Sequence, residues 1–234
     1  EHNSTQGTHN SIIHISGNIY AMAYRGSSNK GTIQTLTIGA DGAMSNSSYI
    51  KNEEHDDNAV QYNSFIHLSG NRYLLAYQGE GSDGYVSVFD ISTNGQTIDL
   101  KAKYEYDVTL SNFNDIIKMT DSTALVVYES AGHDSWIKTL KIATDGAVTN
   151  PATLEHDYGN SDHPSLVKMN SDTYALAYKG SNNYGRIQTF TIPPDGSSIT
   201  EISNIVFTNN GDADFNKIIR VDDNTFAIFG SNYN

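Results

Sequence analysis

Five corresponding positions in this 234-residue chain carry side chains able to recognise a ligand. His9, Tyr62, Phe113, His163 and Phe215 each supply a flat ring, followed by Asn10, Asn63, Asn114, Pro164 and Asn216. A ring stacked on the C–H face of a pyranose, beside an amide that both donates and accepts, suits sugar binding. The alternative is that the ring closes a core and the asparagine turns the chain into a strand. A second set is basic throughout: His14, His67, Lys118, Lys168 and Arg220. In a chain with 27 acidic and 14 basic residues and a net charge of −13, a cationic group at one site per repeat suits an anion or an acidic sugar held in a central channel. Alternatively these long stems run along apolar faces to reach water.

Metal binding and catalysis have weaker signatures. His55-Asp56 and His156-Asp157 recur, with Tyr106-Asp107 in the matching place, and read as solvent-facing or strand-capping groups. The Asp-Gly turns could attract calcium, but no twelve-residue EF-hand loop supports it, so no cofactor is expected. A glycosidase needs two carboxylates roughly 5–10 Å apart, one of them kept protonated. Asp115 heads an inner strand, Asp57, Asp162, Asp212 and Asp214 lie on the approaches, and Glu80 and Glu129 follow second strands; no asymmetric pair stands out among them. There is no Gly-x-Ser-x-Gly, phosphate loop or dinucleotide fingerprint. No residue is therefore expected to be catalytic, and binding is expected ahead of catalysis.

The elements that position these residues come from an internal repeat. Tyr20-Ala21-Met22-Ala23-Tyr24 returns as Tyr73–Tyr77, Ala124–Tyr128, Tyr174–Tyr178 and, shortened, Phe226–Phe229, a spacing of 50–53 residues. Each unit reads as an apolar inner strand, a turn, the tyrosine strand, a polar hairpin, a third strand, an Asx-Gly turn and a polar outer strand. Those turns are Asp41-Gly42, Asn94-Gly95, Asp145-Gly146 and Asp195-Gly196, where both residues tolerate positive φ. Alanines alternate with large residues in the second strand, which predicts one face for close approach and one that fills space.

Four short antiparallel strands per unit, repeated in tandem, predict an all-β, β-propeller fold. About five blades are expected, within a single domain over residues 1–234. The units are 9–58, 59–109, 110–159, 160–210 and a partial 211–234, so the fifth blade is incomplete. The pattern resembles the β-propellers of secreted lectins, adhesins and carbohydrate-active enzymes. That resemblance implies an extracellular or cell-surface binding and adhesion module, recognising a glycan or glycoprotein through quasi-equivalent sites. The alternatives are a structural subunit of a surface layer, filament or long adhesin, and a polysaccharide hydrolase or lyase. Self-association or strand donation is expected at Thr225 to Gly230, on the open edge of the fifth blade. The acidic charge excludes nucleic acid as main partner, and no apolar run is long enough for a membrane-spanning helix.

Overall fold

The computed structural model describes residues 7–44, 49–159, 161–208 and 212–233, with backbone only for Asp212, Phe215 and residues 231–233. Among these residues nineteen strands form five antiparallel sheets. β1 (Thr8–Ser16), β2 (Ile19–Arg25), β3 (Lys30–Thr37) and β4 (Tyr49–Ala59) form the first sheet in chain order. β5 (Gln61–Ser69), β6 (Arg72–Gln78), β7 (Gly84–Ile91) and β8 (Ile98–Asp107) form the second. The third has β9 (Asn112–Lys118), β10 (Thr123–Glu129), β11 (Ser135–Ile142), β12 (Val148–Thr149) and β13 (Thr153–Asp157). β12 and β13 both pair with β11. They are one outer strand interrupted at Pro151, which has no N–H for the ladder. The fourth sheet is β14 (Asp162–Lys168), β15 (Thr173–Lys179), β16 (Gly185–Thr191) and β17 (Thr200–Thr208); β18 (Asp212–Arg220) and β19 (Phe226–Tyr233) pair as a fifth.

The chain divides into two compact units: Glu1–Leu110 with Ala143–Ala147, and Ser111–Ile142 with Val148–Asn234. Inside each, the alternation in the second strand decides how sheets stack. In the first unit Ala21, Ala23 and Ile33 of the first sheet meet Tyr73, Leu75, Tyr77 and Phe89 of the second in one buried cluster. In the second unit Leu125, Val127 and Ile137 meet Tyr174, Leu176, Tyr178 and Phe190, and Ala175 and Ala177 meet Ile218 with Phe226 and Ile228. A small or medium-sized face thus receives the large face of the next sheet, as the sequence predicts. Hydrogen bonds stitch these pairs at repeated positions. Phe65 N donates to Ser11 Oγ at 3.1 Å, Leu166 N to Asp115 Oδ2 at 2.7 Å and Ile218 N to Ser165 Oγ at 3.2 Å. Asp115 therefore works as a joint between sheets.

The turns depart from expectation in an informative way. In the Asx-Gly turns only the glycine is left-handed, with φ of +81°, +71°, +95° and +72°. The Asx side chain instead accepts the backbone N–H two residues on, from Ala43, Gln96, Ala147 and Ser197, the Asx-turn geometry. Two successive left-handed residues occur elsewhere, in the loops between second and third strands: Ser28-Asn29, Gly81-Ser82, Gly132-His133 and Asn182-Asn183. Gly95 also packs tightly. A Cβ there would lie 3.1–3.3 Å from Ile19, Ile50 and Thr35, and its carbonyl accepts from Thr35 Oγ1 at 2.7 Å. Gly17→Ala, at φ +55° with open space around it, is expected to lower stability by about 1–2 kcal/mol from the backbone alone. Gly95→Ala is expected to lower it by more, as urea unfolding midpoints of the two variants will show.

His55 and His156 are corrected by the structure: they are buried rather than solvent-facing. His55 stands edge-on to Tyr77 and Phe89 of the next sheet, and His156 edge-on to Tyr178 and Phe190. Their neighbouring aspartates accept hydrogen bonds from the same tyrosines, Tyr77 to Asp56 and Tyr178 to Asp157, both at 2.9 Å. The two residues of each His-Asp pair thus fasten one sheet to the next.

Candidate functional site

Where the second strand ends, its last residue pairs with the first residue of the inner strand. The pairs are Thr8 with Arg25, Gln61 with Gln78, Asn112 with Glu129 and Asp162 with Lys179. The left-handed loop that follows folds back near each pair, and its chemistry changes from sheet to sheet. In the first, Arg25 Nε donates to Asn29 Oδ1 at 2.9 Å. In the second, Gln61 Nε2 donates to Gln78 Oε1 at 2.7 Å. In the fourth, Lys179 Nζ lies 2.9 Å from Asp214 Oδ1 and 3.8 Å from Asp162 Oδ2.

The third sheet holds a different arrangement. Glu129, at the end of β10, has a side chain only 1% exposed, and its carboxylate is bonded to His133 Nδ1. Asn112 Nδ2 donates to the second carboxylate oxygen at 3.0 Å. His133 is 65% exposed in its side chain and sits at φ +67°, where the other loops place Asn29, Ser82 and Asn183. The left-handed turn is common to all four loops, and what sets this one apart is the imidazole it carries. Ser161 N donates to the His133 carbonyl at 3.3 Å, tying the loop to the entrance of β14. Asp162 then brings a second carboxylate: one ligand atom each from Glu129, His133 and Asp162 lie within 4.8 Å of one another. Two carboxylates and an imidazole at this spacing could also share a divalent cation. The hydrogen bond that His133 donates to Glu129, and then the charge of that carboxylate, raise the His133 pKa above the ordinary 6.5.

A buried carboxylate bonded to Nδ1 of an exposed imidazole fixes the tautomer and leaves Nε2 facing solvent, the form in which a histidine takes a proton from water. From the sequence, Glu129 and Asp162 are expected only as scattered acids, and no role is expected of His133. The available signal is comparison across repeats: Arg25, Gln78, Glu129 and Lys179 in one series, Asn29, Ser82, His133 and Asn183 in the other. Only the third unit combines an acid with an imidazole.

The expected ligand positions fall elsewhere. His9, Tyr62, Phe113 and His163 all adopt left-handed backbone, φ +51° to +54°, at irregularities where the inner strands begin. His9 and Tyr62 meet edge-on with ring centroids 5.0 Å apart, and Phe113 and His163 lie 4.2 Å apart. Burial lowers the pKa of both histidines. The amides make turn contacts: Asn10 Nδ2 donates to Gly7 O, Asn114 Nδ2 to Ser111 O and Asn216 Nδ2 to Ala213 O. Asn63 Nδ2 reaches the neighbouring sheet, at His9 O, 2.9 Å. The side chain of Phe215 lies outside the described residues. In the basic series, His14 bonds Gly17 O and His67 bonds Gly70 O, both at 2.8 Å. Lys118 pairs with Asp121 and Arg220 with Asp223, both at 2.6 Å, and Lys168 donates to Met119 O. Four of these five thus hold the turn three residues further on.

No protein-family model matches the chain, and no curated protein matches it by sequence. Solved structures do match in fold. A protein of Lactobacillus plantarum is 19% identical with a TM-score of 0.60, over 84% of this chain and 56% of its own. The periplasmic gluconolactonase of Pseudomonas aeruginosa is 14% identical with a TM-score of 0.61, over 84% and 55%. The NanB sialidase of Streptococcus pneumoniae is 12% identical with a TM-score of 0.63, over 87% and 33%. The fold is that of a β-propeller. Its sheets are blades, and the fifth, at two strands, is incomplete among the described residues. The chain spans little more than half the length of the first two structures and a third of the sialidase. The expectation of an adhesion module is corrected by these likenesses: the matched propellers of stated activity, a gluconolactonase and a sialidase, are enzymes.

Proposed function

We propose that the chain is a hydrolase of sugar-derived substrates, acting on the carbonyl of a lactone or ester. The observation that carries this reading is the buried Glu129 carboxylate bonded to the exposed, left-handed His133 in one blade alone among the four corresponding positions. In the reaction, Nε2 of His133 accepts a proton from water as the water oxygen bonds to the carbonyl carbon. Glu129 stabilises the imidazolium that forms. The tetrahedral adduct then expels the alkoxide, the C–O bond breaks, and the imidazolium returns the proton to that oxygen. The likeness to a periplasmic gluconolactonase supports this reaction class and an extracytoplasmic location.

Glycoside cleavage by Glu129 and Asp162 is the second reading, favoured by their proximity and by the likeness to a sialidase. Against it, both oxygens of Glu129 are already bonded, to His133 and Asn112. The test is a pH-stat assay of acid release from aldonolactones and sugar esters, run beside a reducing-end assay on neutral and acidic polysaccharides. Acid release that persists in a chelator supports the His133–Glu129 pair as base. Reducing ends without acid release would transfer the chemistry to the carboxylates, and silence in both assays would end the hydrolase reading.

A further inference from the structure

The corresponding position in the second blade is built for binding rather than proton transfer. Gln78 stands where the third blade has Glu129, Gln61 where it has Asn112, and Ser82 where it has His133. A cavity of about 280 Å³ opens there, lined by Asn58, Gln61, Gln78, Gly79, Glu80 and Ser82 among others. We propose that this cavity binds one neutral, hydroxyl-rich ring of pyranose size, a sugar unit without carboxylate or phosphate.

Three features carry the inference. The first is fixed amide geometry. Gln78 is 3% exposed and accepts from Gln61 Nε2 at 2.7 Å. Asn58 is held by Asp56 Oδ1 through its backbone N at 2.9 Å and its Nδ2 at 3.2 Å. Asp56 is itself held by Lys103 Nζ at 2.7 Å and the Tyr77 hydroxyl at 2.9 Å. Side chains anchored through such a second layer arrive already oriented, which lowers the entropic cost of binding. The second is charge. The lining contains a carboxylate, Glu80, and no lysine, arginine or histidine, so anions are disfavoured while groups that both donate and accept are matched. The third is size: the volume of about 280 Å³ lies just below the roughly 300–1,000 Å³ range of drug-sized ligand sites, room for one ring and little more. This is a single pocket in one blade, distinct in residues and chemistry from the aromatic positions at the strand entrances.

The experiment is titration of the full chain with glucose, galactose and mannose, and separately with glucuronate and glucose 6-phosphate, followed by calorimetry and by the side-chain amide signals of Gln61 and Gln78 in NMR. At least one neutral sugar is expected to bind with a Kd of about 1–10 mM, shifting those signals, with anionic sugars at least tenfold weaker. Gln61→Leu and Asn58→Ala, each with an unchanged melting temperature, are expected to weaken binding at least tenfold. Absence of binding by all three neutral sugars at 50-fold the expected Kd would overturn the proposal, as would equal binding of the anionic sugars or undiminished affinity in both variants. These variants lie outside the His133–Glu129 pair, so loss of sugar binding and loss of hydrolysis are separable results.

Discussion

Replacing His133 by alanine is expected to lower kcat for lactone or ester hydrolysis by about 10²–10⁴-fold, the usual contribution of a positioned general base. The fold should be left intact. His133 is mostly exposed, at 65%, and alanine leaves the buried Glu129 carboxylate held by Asn112, so the melting temperature should fall by several degrees without loss of the fold. Glu129→Gln tests the other half of the pair. Its amide keeps the shape of the buried side chain and removes the charge that stabilises imidazolium, so kcat should fall with KM nearly unchanged. Asn29→Ala, which alters the matching loop in the first blade, serves as the control and should leave turnover untouched. Equal activity in His133→Ala and the parent protein would remove the pair from the mechanism.

The second large effect is on stability in mild acid. Burial lowers the pKa of His55 to about 4 and of His156 to about 3, against an ordinary value near 6.5. For His55 the charge of Asp56 opposes that lowering and Lys103 adds to it; for His156 the hydrogen bond with Gln188 opposes it. The unfolded chain therefore takes up protons first. Stability contributed by the two neutral rings is present above pH 6.5 and drains as the pH falls toward 4 and 3. Between neutral pH and pH 5 the loss is about 4 kcal/mol for the two sites together. Asp56 does not contribute in this window. Although burial favours its neutral form, hydrogen bonds from Lys103, Asn58 and Tyr77 hold its pKa below the usual value, so its contribution is lost only at lower pH.

Both histidines can be replaced by an aromatic residue on the evidence of the repeats. Tyr106 occupies the matching position of the second blade and Phe207 that of the fourth. Phe207 covers Gly185 as His55 covers Gly31. Neither nitrogen of His55 has a hydrogen-bond partner, so an apolar ring forfeits little there, whereas at 156 it gives up the buried bond between Nδ1 and Gln188 Oε1 at 2.9 Å. At pH 7.5 the double variant His55→Phe, His156→Phe should fall below the parent by about 1–3 kcal/mol at most, from the lost bond to Gln188. Its urea midpoint should then change little down to pH 5, while the parent's falls steeply. An equally steep fall in the variant would place the acid sensitivity elsewhere.

Much of the architecture was legible in the residues. The tyrosine strands recur at 50–53-residue spacing, and Ala21 and Ala23 announce a face that needs a bulkier partner. Two kinds of feature were not. Burial of His55 and His156 runs against polarity, and only the aromatic Tyr106 and Phe207 at matching positions hint at it. The meeting of His133 with Glu129 depends on two successive left-handed residues, and Gly132 is the plainest sign of them, because histidine tolerates positive φ without requiring it. Left-handed backbone at His9, Tyr62, Phe113 and His163 is equally silent in the sequence, since rings of this kind ordinarily sit in extended strands.

The pairing of unlike faces has a corollary for how such a protein can change. A face floored with alanine cannot seal against another like it, nor can two tyrosine-bearing faces interlock. Duplication or deletion therefore preserves packing only when it removes or adds a complete period, so that every shallow surface still finds a deep one. A recombinant join inside a period would set like against like and fail to bury either, whereas a join at corresponding points of two periods would leave every remaining contact of the same kind.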